Sequence, residues 1–354
     1  MTDGGLAAHC AAAESLGSLP GGFRTGRQEI PGKASRRRGE RQTNHVFPVK
    51  IGQNEFHTPR MGVLVGRFFA KLAISIGNGF QGRNPAWQRS IYSERSNMSL
   101  LAVLYQLVPE APILVAANRE EKYDRVCPTP SIQPGKPRVL ASIDPQSAGT
   151  CLGVNQAGMF CGLTSRRKIQ EPANPKSRRV LCREMLKCGS AREAVDLAME
   201  ELHSNSYAGG NFVVADGESG WVVHAGSDVN VVQLQEGLSI VGHMDVNDGL
   251  DDRAAMARRL LTLQMLDSPV KFLAVASKVF ARQPISAGRP SMVVRQADFG
   301  TVSSTLISLG KKPRDAIYQY ANGAPDQVKY EDYSPLLRDI LSRGLRESRT
   351  RANA

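Results

Sequence analysis

The chain has 354 residues, of which 41% are hydrophobic and 22% charged, and its formal net charge is +12. Residues 1–98 hold 14 basic and 6 acidic residues, so they supply +8 of this charge and leave the remainder nearly balanced, which argues against a nucleic-acid-binding body. No run of 18 or more apolar residues occurs in the sequence, so no membrane span is predicted.

Residues 1–97 are predicted to be a disordered, basic extension. They open with Gly, Ala and Ser, contain Arg36–Arg38 and show little apolar periodicity, so they could bury too little surface to offset chain entropy. The segment 61–74 mixes basic and apolar residues as a targeting peptide does. Three interpretations remain: a disordered tail, a cryptic targeting peptide with an internal start, or translation upstream of a true start at Met98. We favour the last, because structure-like patterning begins at Met98.

From Met98 onward, the sequence predicts alternating groups of strands and helices. Two apolar runs, 98–104 and 113–121, flank a Pro-bearing turn and predict a strand–turn–strand unit. The further predicted elements are a hairpin over 151–164, helices near 180–187 and 191–202, strands at 212–215, 221–224 and 229–234, helices at 253–266 and 270–282, strands at 292–295, 301–308 and 316–320, and a helix near 333–341. This order predicts an α+β domain of paired antiparallel sheets over 98–343, with a flexible tail at 344–354.

Two local patterns predict helix starts. Ser190 and Glu193 have capping-box spacing, in which the Ser side chain accepts from the backbone of Glu193 and the carboxylate reaches back. The acidic run 245–252 is interpreted as a loop that caps the following helix. Gly249 is in the wrong register for a calcium-binding EF-hand.

The cysteines and histidines predict neither a metal site nor a cofactor. The six cysteines include no Cys-x-x-Cys pair and no zinc-finger spacing, so we expect reduced cysteines in a cytoplasmic protein. Cys151 and Cys161 lie in apolar runs and are predicted to be small core residues. His224 and His243 lie at strand ends, where a structural imidazole is the favoured interpretation.

The polar cluster 118–121 follows an apolar strand and, on periodicity alone, is interpreted as a solvated ion-pair cluster. Ser99 follows Met98 directly, and a Ser at a free chain terminus combines a nucleophile and an amine base in one residue.

Four sequence blocks in this order resemble the NRDE family, also called the Transport and Golgi organisation protein family. The blocks are Ala-Ala-Asn-Arg-Glu-Glu at 116–121, Gly-Thr-Cys-Leu-Gly-Val-Asn at 149–155, Gly-Gly-Asn-Phe-Val-Val-Ala-Asp at 209–216 and Gly-Thr-Val-Ser-Ser-Thr at 300–305. Two departures lie within them: Cys151 replaces the family Trp, and Val302 stands where many members have Arg. The resemblance implies the four-layer αββα sandwich of the N-terminal nucleophile hydrolases.

The resemblance also implies the roles of individual residues. Family members begin Met-Cys, so Ser99 would be the nucleophile after removal of Met98, and its α-amine, with a pKa near ~7.7–8.0, would be the base. Arg119 would hold substrate or orient the amine. Glu120 stands where the family has Asp, in an orienting role, and Asn211 would donate to the developing oxyanion.

Two functions follow from the resemblance. The first is an amidohydrolase that uses Ser99 to cleave a non-peptide C–N amide bond in a small-molecule acyl-amide. The alternative is a non-catalytic haem- or lipid-handling protein that keeps the hydrolase shell around a hydrophobic ligand. A third possibility, RNA binding, fails because the basic excess lies in the extension and the body lacks a stacking-aromatic motif.

Overall fold

The computed structural model describes residues 99–204, 206–284 and 290–353. The predicted disordered extension, residues 1–97, lies outside the described residues, as does Met98. Within the described ranges, none of the helices combines the length and hydropathy that crossing a bilayer requires.

The described residues form thirteen strands and five α-helices. The strands are β1 (Leu100–Tyr105), β2 (Ile113–Lys122), β3 (Ser131–Gln133), β4 (Val139–Ala141), β5 (Leu152–Asn155), β6 (Phe160–Ser165), β7 (Gly210–Ala215), β8 (Gly220–Ala225), β9 (Val229–Gln233), β10 (Gly237–Val241), β11 (Phe299–Leu309), β12 (Ile317–Ala321) and β13 (Glu331–Asp332). The helices are α1 (Arg178–Met185), α2 (Ala191–His203), α3 (Asp252–Leu261), α4 (Pro269–Phe280) and α5 (Ser334–Ala352).

The strands form two sheets, and neighbouring strands in each are antiparallel. The first has the order β10-β1-β2-β11-β12-β13, and the second β3-β4-β5-β6-β7-β8-β9. The hairpins at 98–121 and 151–164 and the three-strand meander from 212 to 234 are present as predicted. The α+β prediction with two antiparallel sheets is therefore confirmed.

Three apolar cores divide the faces of the sheets. In β1, Leu101 and Val103 point to the core shared with the second sheet, while Leu100 and Ala102 point to the core shared with α3 and α4. A third core packs the other face of the second sheet against α1 and α2. Because side chains alternate along a strand, each side chain of β1 and β2 points either to the space between the two sheets or to the side covered by α3 and α4.

Both predicted helix caps form, one of them with altered geometry. The Ser190 hydroxyl accepts from the Glu193 backbone N–H at 3.2 Å, but the Glu193 carboxylate accepts from the N–H of Gly189 at 2.8 Å. Asp251 caps α3 by accepting from the N–H groups of Arg253 and Ala254 at 3.1 and 3.0 Å. The acidic run is thus the capping loop that the sequence predicts.

The last helix is longer than predicted. The sequence ends it near 341 and assigns a flexible tail to 344–354, whereas α5 continues to Ala352. Buried Gly344 packs directly against the backbone of Gln156. Glu347 accepts hydrogen bonds from Arg138 at 3.0 Å and Gln156 at 2.9 Å. These partners are distant in sequence, so the local pattern did not reveal them.

The segment 292–295 is wrong as a predicted strand. Only Arg295 forms a bridge, with Gly300. Val294 and Thr301 exchange hydrogen bonds at 2.9 Å, one of them through the Thr301 hydroxyl. The Thr301 hydroxyl thus accepts from the Val294 N–H, which in a strand would donate to a backbone carbonyl of the neighbouring strand.

Candidate functional site

A cavity of about 50 Å³ lies where the start of β1 meets the polar end of β2. Its polar lining includes Ser99, Arg119, Cys127, Asp144, Cys151 and Thr164, and leucine and tyrosine side chains supply much of the rest. Since one water needs roughly 10–15 Å³ measured this way, the cavity holds a few waters or a small acyl group.

Ser99 and Arg119 are brought together by the β1–β2 register. Leu100 pairs with Asn118, so Ser99 lies opposite Arg119 at the next position, and both line the cavity. The Ser99 hydroxyl accepts a hydrogen bond from the backbone N–H of Glu120 at 3.3 Å. The structure therefore places the predicted nucleophile and the predicted arginine in one site.

The Glu120 side chain lies on the opposite face of β2 from Arg119. Its carboxylate is 2.5 Å from the Arg253 guanidinium of α3 and accepts from the Thr301 hydroxyl at 3.0 Å. Burial raises the pKa of Glu120, and Arg253 only partly opposes this effect. The Glu120 carboxylate therefore points away from Arg119 and is not part of the cavity lining, because adjacent strand residues point to opposite faces.

Glu121 is the carboxylate on the cavity side of β2. It lies 3.5 Å from the Arg119 guanidinium and also pairs with Arg179 of α1. The sequence did not predict this role, because β1 and the apolar part of β2 are buried almost throughout. Polar and apolar residues therefore do not alternate, and the pattern does not show which side chains point to the cavity.

Asn211 lies beside the cavity but is not part of its lining. Its amide nitrogen donates to the carbonyls of Gly242 and Met244 at 3.0 and 3.1 Å. Thr164, which does line the cavity, donates to the same Gly242 carbonyl at 2.6 Å. The structure thus uses Asn211 to hold the segment after β10, and its amide nitrogen is also 3.3 Å from the Thr164 hydroxyl.

His224 completes the hydrogen bonding of Asn211. The Val246 N–H donates to His224 Nε2 at 3.3 Å, which leaves Nδ1 as the donor to Asn211 Oδ1 at 2.8 Å. Burial lowers the pKa of His224 and favours this neutral tautomer. The predicted structural imidazole is confirmed at this position.

Cys151 lies in the cavity beside two arginines, which sequence analysis did not predict. Its Sγ accepts from Arg179 Nε at 3.1 Å. Burial acts to raise the pKa of this thiol, but the positive charges of Arg179 and Arg119 outweigh burial and lower it. The expectation of a core cysteine is wrong for Cys151, which is only half-buried, and right for the fully buried Cys161.

Arg179 is not part of the cavity lining but bonds to residues that line it. Besides Cys151 and Glu121, it donates to Asp144 at 3.2 Å, and Arg125 binds the same carboxylate at 2.5 Å. Burial opposes ionisation of Asp144, but the hydrogen bonds of Arg125, Ser147 and the Gln146 N–H lower its pKa to about 2. No pattern within one segment predicts this network, because its members come from β2, two loops and α1.

One residue in the sequence, Gly149, reflects the close approach of α1 to the loop before β5. A Cβ on Gly149 would overlap the backbone carbonyl of Arg179, and the neighbouring Thr150 N–H donates to that carbonyl at 2.9 Å. The glycine of the 149–155 block therefore permits α1 to bring Arg179 to the cavity. Among the described residues, no group of three or more His, Cys, Asp and Glu side chains is arranged to hold a metal ion.

Several solved structures have limited similarity to this chain. An N-acylethanolamine-hydrolyzing acid amidase ortholog from Caenorhabditis elegans is 15% identical, with a TM-score of 0.39, over 59% of this chain and 92% of that chain. A mutant conjugated bile acid hydrolase from Clostridium perfringens is 12% identical, with a TM-score of 0.36, over 67% and 93%. Penicillin V acylase from Agrobacterium tumefaciens is 13% identical, with a TM-score of 0.33, over 64% and 75%.

Sequence comparison gives the family assignment. The curated proteins contain no match to the chain. The profile of the family described as Transport and Golgi organisation 2 matches residues 98–318, which include the four motif blocks, both sheets almost entirely and all of the cavity lining except Tyr320. The match covers more than half of the sequence, and the chain therefore belongs to the Transport and Golgi organisation 2 family.

Proposed function

We propose that the chain is an amidohydrolase that cleaves a non-peptide C–N amide bond with Ser99 as N-terminal nucleophile. The observation that carries this proposal is the placement of the Ser99 hydroxyl and the Arg119 guanidinium in one small cavity. The two sheets with their outer helix pairs would then be the four-layer αββα sandwich of the N-terminal nucleophile hydrolases.

The reaction requires a free amine on Ser99, because an acylated nitrogen cannot accept a proton. After removal of Met98 and everything before it, the amine takes the proton of the Ser99 hydroxyl as Oγ attacks the acyl carbon. The C–N bond then breaks, and the leaving amine receives that proton. The same amine then takes a proton from water as the water oxygen attacks the ester carbon. The C–O bond to Ser99 breaks, Oγ receives that proton, and the acid is released.

The site residues have revised roles in this proposal. Arg119 lies opposite Ser99 and supplies positive charge for the oxyanion or for the acyl group's polar end. Glu121 holds Arg119 in place, as its ion pair indicates. Asn211 fixes the segment 242–244 next to Ser99 and acts as a positioning residue. Glu120 contributes its backbone N–H to the Ser99 hydroxyl.

The cavity indicates the substrate class. Its volume of about 50 Å³ and its leucine and tyrosine lining accommodate a short acyl group with an apolar surface. We therefore propose small N-acyl amides as substrates, with the acyl end at Ser99 and the amine end directed outward.

The test uses a panel of N-acyl amides of increasing acyl length. Mass spectrometry measures the acid and the amine that the protein releases from each one. Hydrolysis that is lost in Ser99→Ala and kept in Ser99→Cys supports the proposal. Ser277→Ala is the matched control, since Ser277 lies on α4, outside the cavity lining, and its hydroxyl donates to the carbonyl of Ala274 at 3.0 Å. Equal hydrolysis by Ser99→Ala and the unmodified protein would exclude the mechanism.

A second candidate, a non-catalytic protein that binds a hydrophobic ligand, is favoured by one observation. Both amide protons of Asn211 are directed to backbone carbonyls, so the expected oxyanion donor is occupied. We propose a short acyl lipid as the ligand in this case, because leucine and tyrosine side chains line the cavity. Saturable binding of such a lipid, unchanged in Ser99→Ala and without turnover, would favour this candidate.

A further inference from the structure

The cavity contains two cysteines that the proposed hydrolysis does not use. Cys151 precedes β5 and Cys127 lies in the loop between β2 and β3, and both line the cavity. Both are free thiols. Two sulfur nucleophiles and Arg119 thus line one small space, and Arg179, which is not part of the lining, bonds to Cys151. A thiol beside arginines is the usual environment of a reactive cysteine.

The surroundings of Cys151 stabilise a thiolate. Arg179 Nε donates to its Sγ at 3.1 Å, and Arg119, which lines the cavity, is a second cation near it. The two arginines together lower the pKa of Cys151 in spite of its burial. The thiolate, and not the thiol, is the form that peroxides oxidise.

The surroundings of Cys127 keep it protonated. Burial raises the pKa of its thiol, which lies 3.8 Å from the Ser142 hydroxyl. The carbonyl of Ser142 accepts from the Thr150 hydroxyl at 2.8 Å. Ser142 therefore contacts Cys127 through its hydroxyl and Thr150, the residue before Cys151, through its carbonyl, and both cysteines line the same cavity.

We propose that Cys151 is a peroxide-oxidised site and that Cys127 is its resolving thiol. The observations that carry this proposal are the shared cavity and the Arg179 contact, and it is independent of the proposed hydrolysis. The small cavity fits hydrogen peroxide or the end of an organic hydroperoxide, so the substrate class is a small hydroperoxide.

The reaction balances with the hydroperoxide as the oxidant. The Cys151 sulfur attacks one peroxide oxygen, the S–O bond forms, the O–O bond breaks, and the leaving oxygen takes a proton from water. The Cys127 sulfur then attacks the Cys151 sulfenic sulfur. The S–S bond forms, the S–O bond breaks, and the departing hydroxide takes the Cys127 proton to leave as water. The two thiols lose two electrons in total and the peroxide gains two.

The disulfide would join the loop after β2 to the start of β5 across the cavity. Because Ser99 lines the same space, oxidation is expected to obstruct access to Ser99. The cavity would then be open in the reduced protein and closed in the oxidised protein.

The test is peptide mapping of the full chain after treatment with hydrogen peroxide, with dimedone as the sulfenic-acid trap. Cys188 is an internal control, because it is also half-buried but burial raises its pKa to about 11. We expect the Cys151 adduct to form at least tenfold faster than the Cys188 adduct, and a Cys127–Cys151 disulfide to form when dimedone is omitted. Equal labelling of both cysteines, or no such disulfide, would overturn the proposal.

A pH profile and two variants give readouts beyond simple reactivity. The charged groups near Cys151 are Arg119, Arg178 and Arg179, with Asp144 and Glu121 as ion-pair partners, and the nearby titratable thiol is that of Cys127. The oxidation rate of Cys151 should therefore level off at a lower pH than that of Cys188. Arg179→Gln should slow oxidation about tenfold and move the plateau upward. An unchanged pH profile of Cys151 oxidation would contradict the role of Arg179 in stabilising the thiolate. If Arg179→Gln does not fold, the peptide mapping of the unmodified chain still tests the proposal.

Cys127→Ser tests the resolving step separately. Without Cys127, the Cys151 sulfenic acid should persist and give several times more dimedone adduct at the same peroxide dose. An unchanged sulfenic-acid lifetime would show that Cys127 does not resolve Cys151.

Discussion

The Glu121 carboxylate lies 3.5 Å from the Arg119 guanidinium, on the face of β2 that borders the cavity. Glu120, the preceding residue, points to the other face and lies 2.5 Å from Arg253. Strand alternation thus gives two adjacent acids different functions. Glu121 orients a site arginine, whereas Glu120 joins the first sheet to α3.

Replacing these acids should separate activity from stability. Glu120→Ala leaves Arg253 without its buried carboxylate partner, so we expect the free energy of unfolding to fall by about 3 kcal/mol. Glu121→Gln should instead reduce amide hydrolysis more than Glu120→Gln does. Urea denaturation and kcat/KM measure the two effects. The reverse order, with activity more sensitive to Glu120→Gln, would contradict the assignment of Glu121 to the site.

Asn211→Ala should destabilise the fold. The substitution removes hydrogen bonds to Gly242, Met244 and His224, each worth about 1 kcal/mol, so we expect a loss of about 2–3 kcal/mol. Asn230→Ala is the control, since Asn230 is exposed in β9. An Asn211→Ala protein that loses hydrolysis but keeps its full stability would identify Asn211 as an oxyanion donor instead of a positioning residue.

Gly149→Ala should destabilise the protein. Alanine lowers the conformational entropy of the unfolded chain, which by itself favours folding, but the steric effect in the folded protein is larger. The added Cβ would overlap the carbonyl of Arg179, so α1 must shift, and we expect a loss of about 1–3 kcal/mol. Gly217→Ala is the matched control, because its Cβ would meet no atom within 4 Å. Thermal unfolding should show no loss for Gly217→Ala, and equal effects at the two positions would contradict the packing of α1.

Asp144 should make the fold sensitive to acid. Its folded pKa of about 2 lies below the ordinary value of about 3.9, so the folded protein binds fewer protons than the unfolded chain between these values. The stability it contributes is therefore present above about pH 4 and is lost as the pH falls towards 2. Asp144→Asn should flatten this part of the urea-denaturation profile, and an unchanged slope would exclude Asp144 as its source.

The sequence predicts the sheets well because their signals are local. The hairpin around Asn155–Gly158 and the Ser190 cap are specified by residues within one turn. The last turns of α5 were missed because Gln156 and Arg138 hold them from a distant segment.

The site was only partly predictable for the same reason. Ser99 and Arg119 meet through one hairpin, which the pattern indicates. Arg179 reaches the cavity from α1, 58 residues after Glu121, and no periodicity encodes that contact. To choose between Glu120 and Glu121, one must know which residues of β2 point to the cavity. The apolar part of β2 is buried on both faces, so polar and apolar residues do not alternate and the sequence does not show this.

The central claim is that Ser99 becomes an N-terminal nucleophile in the cavity. The most direct measurement is the intact mass and N-terminal peptide of the protein isolated from its native cells. We expect a mature chain that begins at Ser99 with a free α-amine. A mature chain that begins at or before Met98 would contradict the mechanism, because the nitrogen of Ser99 would then be an amide.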